Sequence, residues 1–163
     1  MLIDIQGAFY KSEDHKMNTL SRREARKEII GLLFETEFKK EEDARQILDL
    51  AIEDRELPDD EYVKAAYLGI CERLSEIDAL INKHSRGWKT QRMTRVSLSV
   101  LRLCVYEMIC GEIPYAVSIN EAVELSKIFD DEKAKSFING ILNSVKNELE
   151  GGAESKESEE ETK

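Results

Sequence analysis

Apolar residues recur at steps of three and four along most of the chain, the period of an amphipathic helix. Ala25, Ile29, Leu32 and Leu33 form one such face, and Ser21 ahead of them suits a helix N-cap, which predicts a helix over 21–38. Ile30, Phe34 and Phe38 form a second stripe on the same helix. A helix apolar on two sides is either central or meets a partner as well as the core. A shorter helix is predicted over 41–54, with Ala44, Ile47, Leu48 and Ala51 inward. Leu57-Pro58-Asp59-Asp60 is a break, and Asp59 or Asp60 is the next cap. Val63, Tyr67, Ile70, Leu74, Ile77 and Ile81 then alternate steps of four and three, the seam of one long helix.

The pattern lapses over the basic segment 82–95, which joins two halves. The next helix, over 95–110, is apolar almost all round, as a helix in the middle of a bundle must be. Gly111 is its stop and Pro114 blocks immediate continuation. Ser118-Ile119-Asn120-Glu121 has the form of a capping box for a helix running to Phe129. Asp130 or Asp131 caps a last helix with Ala134, Phe137, Ile138, Ile141, Leu142 and Val145 inward, and Gly151 lies just past its end. No segment sustains period-two alternation, so the fold class is all-α, a bundle of six to seven helices.

The ends differ from this body. Residues 1–16 carry no helix pattern that runs on into the first helix, and a poorly structured arm is expected, with a short ordered arm as the alternative. Met17 opens the organised region, 17–150, with subdomains of about 17–85 and 86–150. Residues 151–163 hold five Glu, two Lys and no large apolar side chain, the composition of a disordered acidic tail.

Of the 163 residues, 41% are apolar and 36% charged, which fits a folded core under a heavily solvated surface. Only 8 Gly and 2 Pro argue against a turn-rich sandwich or barrel. No apolar run approaches the roughly 20 residues of a membrane span, so no membrane partner is expected. Cys71, Cys104 and Cys110 cannot all pair within one chain, and no signal peptide is evident, which points to a reduced, cytosolic protein. The net charge of -10 would repel nucleic acid, so nucleic-acid binding requires a local basic patch.

Enzyme chemistry finds little support. There is no phosphate-cradling glycine loop. Of the two histidines, His15 lies in the N-terminal arm, and His84, with no Cys or carboxylate at a ligand spacing, reads as a surface or hinge residue. Glu41-Glu42 and Asp59-Asp60 sit at helix N-termini, where the macrodipole favours acids. Ser126 and Ser136 lack a nearby base. No catalytic residue, metal or cofactor is expected. Arg22, Arg23, Arg26 and Lys27 are different: four cations with one acid, Glu24, at a helix N-terminus that disfavours cations. Three arginines in five residues suit planar, bidentate contacts to phosphate. A solvated face paired to nearby glutamates is the competing reading.

A resemblance sharpens this. Ser21-Arg22-Arg23-Glu24-Ala25-Arg26 with Leu32-Leu33-Phe34, Arg95-Val96 through Leu101-Arg102-Leu103 and Tyr106-Glu107, Ile113-Pro114-Tyr115-Ala116-Val117-Ser118-Ile119-Asn120-Glu121-Ala122-Val123-Glu124-Leu125, and Phe137-Ile138-Asn139-Gly140-Ile141-Leu142 closely resemble the NusB family of transcription antitermination factors. The blocks keep the family's order and spacing over about 18–147. The resemblance implies a helical, non-enzymatic protein that binds boxA-like single-stranded RNA with the ribosomal protein NusE. That complex would help RNA polymerase read through terminators in ribosomal RNA operons. By the same resemblance Arg22, Arg23 and Arg26 are RNA contacts, and Phe137 is an RNA-proximal aromatic. Lys133 stands where some members carry an acid, and Phe34 falls near the NusE side. Phe137 fits core packing as well as base stacking, and the Ile30, Phe34 and Phe38 stripe carries the same two readings. Monomer and homodimer both stay open. So do a protein-interaction bundle without RNA and a relation to the RNA-directing domain of ribosomal RNA cytosine methyltransferases, although no catalytic domain is expected after Glu150.

Overall fold

The computed structural model describes residues 20–86, 93–129 and 132–161, with side chains as far as Gly152. The expected arm at 1–16, the start at Met17 and the caps at Asp130 or Asp131 lie outside the described residues. Every regular element among the described residues is a helix: α1 Arg22–Phe38, α2 Ala44–Asp54, α3 Glu61–Glu72, α4 Leu74–His84, α5 Arg95–Cys110, α6 Tyr115–Phe129 and α7 Glu132–Glu161. The chain divides into two units at Leu68/Gly69, inside α3, not near residue 85.

In the first unit α1 packs on α2. Ile29, Leu32 and Leu33 of α1, Ile47 and Leu48 of α2, and Val63 and Tyr67 of α3 are buried. Tyr67 is fully enclosed, and its hydroxyl lies 2.6 Å from Thr36 Oγ1. Thr36 spends its own proton on the Leu32 carbonyl at 2.7 Å, so the Tyr67 hydroxyl is the donor of the pair. Asp43 caps α2, with Gln46 completing a capping box. The turn after α2 passes through Glu56 at φ 53, and the Leu57 N–H reaches back to the Ala51 carbonyl. Glutamate there takes the left-handed conformation that glycine more often supplies after a helix.

The second unit is built around α5, against which α4, α6 and α7 all pack. Val100, Leu101, Leu103, Cys104 and Val105 are all buried, as the all-round apolar pattern requires. Arg102 is also buried there, and its guanidinium donates to both oxygens of Asp78 on α4, at 2.9 and 2.8 Å. Thr94 caps α5, and Gly111 ends it at φ 72.

Three expectations change. The long helix of 61–84 is two helices, because Arg73 leaves helical geometry at φ -103, ψ 19 and turns its side chain to Glu76. The seam stays in phase across the break, so Ile70 and Ile77 are both fully buried and the pattern alone shows no interruption. This also explains the early division between units: α4 already packs on α5 and α7. Second, Ser118 does not cap α6. The helix starts a turn earlier behind Pro114, whose carbonyl accepts from the Val117 and Ser118 N–H groups, and Ser118 is buried inside it. Proline's fixed φ suits a helix start as well as a stop. Third, α7 does not stop before Gly151. Among the described residues Gly111 is the glycine with positive φ, so Gly151 and Gly152 continue the helix into the strong helix formers Ala, Glu and Lys of the tail.

Candidate RNA and partner interface

The basic cluster occupies the first turns of α1. Ser21 caps the helix: the Glu24 N–H donates to Ser21 Oγ at 3.1 Å, and the Ser21 N–H donates to Glu24 Oε2 at 2.9 Å. The backbone bond from Ser21 holds the Glu24 carboxyl below the usual carboxylate range. Glu24 thus belongs to the helix start and offsets the cost of cations beside the dipole's positive end. The signal, Ser-x-x-Glu at 21–24, stands in the sequence but is overshadowed by the arginines around it.

Arg22 and Arg23 are exposed and Lys27 is half-buried, whereas Arg26 is only 3% exposed. Arg22 and Arg26, one turn apart, therefore do not form one outward row. Steps of four advance about 400° around a helix, so such a stripe drifts by about 40° per step. Starting exposed at Arg22, it crosses the buried face at Arg26 and Ile30, then emerges at Phe34 (37% exposed) and Phe38 (58%). Ile30, 3% exposed, is a core residue and drops out of the expected partner surface. Phe34 and Phe38 remain on the outside as an edge-to-face pair with ring centroids 5.0 Å apart.

The Arg22 guanidinium sits over the ring of Tyr62 on α3, with Cζ 3.7 Å from the ring centroid. Sequence reasoning missed Tyr62, because about 40 residues separate the two and no motif links them. Lys133 and Phe137 belong to the second unit, at the start of α7, with Lys133 exposed and Phe137 half-buried. Phe137 borders a groove of about 350 Å³ that also takes in Arg86, Ser136 and Ser144. Arg86 holds φ 48, which turns the chain as it leaves α4. One wall of the groove is anchored by Glu148 of α7, which pairs with Lys83 and lies 2.8 Å from His84 Nε2. His84, read from the sequence as a surface or hinge residue, thus has a carboxylate partner in the fold. The pairing crosses from α4 to α7 and leaves no local spacing to read. The Lys83 bond first, then the His84 bond, hold the Glu148 carboxyl below its ordinary range.

The NusB family model matches residues 23–147. The transcription antitermination protein NusB of Ruminiclostridium cellulolyticum is 40% identical over 129 residues, covering 77% of this chain and 88% of that protein. The protein of the same name from Bacillus pumilus is 37% identical over 131 residues, 80% of this chain and 98% of its own. Among solved structures, T. maritima NusB superposes with a TM-score of 0.69 at 35% identity, covering 78% of this chain and 91% of that one. A structure of the antitermination factors NusB and NusE in complex with dsRNA gives 0.68 at 26% identity, over 76% and 94%.

Proposed function

Because the chain belongs to the NusB family, we propose that it is a non-enzymatic transcription antitermination factor that binds boxA-like single-stranded RNA together with NusE, within the antitermination complex of RNA polymerase on ribosomal RNA operons. The observation that carries the reading is the state of the two outermost arginines. Arg22 and Arg23 stand exposed in the first turn of a capped helix, on a chain whose net charge is -10. A local cationic face on an acidic protein is what a short stretch of phosphates would find. Lys27 extends that face. Lys133 and Phe137 are assigned to RNA from the second unit, where unpaired bases offer a π-face to an aromatic. Arg26, being buried, is assigned a supporting role. Phe34 and Phe38 are assigned to NusE. Action on a nascent bacterial transcript implies a cytoplasmic protein. Among the described residues, no helix is long and apolar enough to cross a membrane.

Native mass spectrometry of the protein with a boxA-like RNA, a duplex of the same sequence and NusE, alone and in combination, tests the reading. The expected result is a complex holding one protein, one NusE and one single-stranded RNA. Assembly with NusE but with neither RNA would favour a protein-interaction bundle. Preference for the duplex would overturn the single-stranded assignment.

A further inference from the structure

We infer that Tyr62 is a positioning residue of the RNA interface, holding the Arg22 guanidinium by its face so that its edge stays open to phosphate; the inference rests on the RNA reading above. Arg22 opens α1 and Tyr62 sits in the first turn of α3, both in the first unit. They line a groove of about 1010 Å³ whose other lining includes Glu56, Asp59, Asp60 and Glu61. An arginine among four carboxylates would be expected to pair with one of them. Instead it lies over the Tyr62 ring at 3.7 Å, and among the described residues no carboxylate or hydrogen-bond acceptor takes its N–H groups. Two of the four have other work. Asp59 pairs with Lys64, and Asp60 accepts the Val63 N–H at 3.0 Å to cap α3.

The distinction matters because guanidinium carries its donors in the plane. An in-plane ion pair would occupy the same fork that grips phosphate, and RNA would have to break it. Stacking on a ring engages the π-face and leaves all five N–H donors unspent. It also fixes the plane of a side chain that would otherwise sample many rotamers, which lowers the ordering cost on binding. Tyr62 is itself set by the Asp60 cap, which closes the turn it sits in, so the platform exists before RNA arrives.

A double-mutant cycle on RNA affinity tests the inference, using the full chain and a boxA-like RNA, with thermal melts to confirm folding. Tyr62→Leu should weaken binding about two- to fivefold, the range of an exposed cation–π contact. On an Arg22→Ala background the same change should have no effect. Tyr62→Phe should bind like the parent, and Tyr62→Trp more tightly. An equal loss on both backgrounds, or no loss from Tyr62→Leu, would overturn the positioning role. Should the leucine variant fail to fold, the aromatic series decides: Tyr62→Trp binding more tightly than Tyr62→Phe, with the gap closed by Arg22→Ala, supports the role, and no gap between them in the parent overturns it. If Arg22→Ala alone leaves affinity unchanged, the assignment of this face to RNA fails, whatever Tyr62 does.

Discussion

Tyr106 of α5 fills the space that a side chain at Gly69 of α3 would need. A Cβ built there would fall 2.8 Å from the phenol Cζ and 2.9 Å from Cε2, closer than real carbon atoms approach. Within the second unit Gly69 is therefore a close-approach glycine, not a flexible one, and helical backbone continues through it. Gly69→Ala should lower stability by about 1–3 kcal/mol through overpacking, less the roughly 1 kcal/mol that alanine returns as a better helix former. The expected fall in melting temperature is a few degrees. A melting temperature equal to or above the parent's would show that the Tyr106 ring moves aside freely.

The two kinds of arginine in α1 should separate by experiment. Arg23→Ala removes an exposed cation, so it should leave the melt unchanged. It should also make the dependence of log affinity on log salt shallower by about 0.7 for each phosphate no longer neutralised. Arg26 is buried and engaged within the fold. Arg26→Ala should cost about 1–3 kcal/mol of stability, with the salt slope of the folded fraction unchanged. A reduced slope with an unshifted melt in Arg26→Ala would return that residue to the phosphate-binding set.

Phe34 and Phe38 should behave as partner anchors. Phe34 is 37% exposed, so Phe34→Ala forfeits mainly its edge-to-face packing with Phe38, about 0.5–1.5 kcal/mol, well short of the roughly 3–5 kcal/mol of a core phenylalanine. Against NusE the same truncation should cost about 2 kcal/mol, near thirtyfold in affinity, with RNA binding by the free protein unaltered. Calorimetric titration with NusE and a parallel melt check both halves. A collapsed melt, or undiminished NusE affinity in a stable variant, removes Phe34 from the partner surface.

Much of this is legible from the period of the apolar residues. Ser21, Gly111 and the run from Val100 to Val105 sit where local chemistry puts them, because caps, left-handed stops and all-round burial are encoded within a few residues. The features that escape the sequence depend on residues distant along the chain or on slow geometric drift. The break at Arg73 keeps the seam in phase and so leaves no mark on it. Ser118 satisfies a capping pattern, yet Pro114 provides the earlier start. Ile30 and Arg26 lie on a stripe whose ends are exposed and whose middle is not. Tyr62 and Glu148 reach the candidate site only through tertiary packing. Lys133 and Phe137 come from family likeness, and no local pattern marks them out.

Acid should reveal the role of Glu148. Its folded carboxyl is held below the ordinary value, so the unfolded chain binds the proton more readily. The stability it contributes is complete above the ordinary carboxylate range, about 4.3, and is lost as pH falls through the lower folded value. Glu148→Gln should melt lower than the parent at about pH 6, and the two curves should converge on acidification to about pH 3. Parallel curves over that range would show that Lys83 and His84 do not favour the charged form.

The reciprocal bonds between Ser21 and Glu24 have a consequence for kinetics. Arg22 and Arg23 occupy the first two helical positions, the part of a helix that frays most readily. The capping box closes that turn in the free protein, so an incoming strand meets cations already fixed in spacing and direction and need not wait for them to order. On the proposed RNA reading, Ser21 should therefore set how fast a productive encounter forms without touching the ligand. A chain with alanine there would offer the same charge from a loosened end, and its on-rate would fall while every phosphate-binding group was still in place.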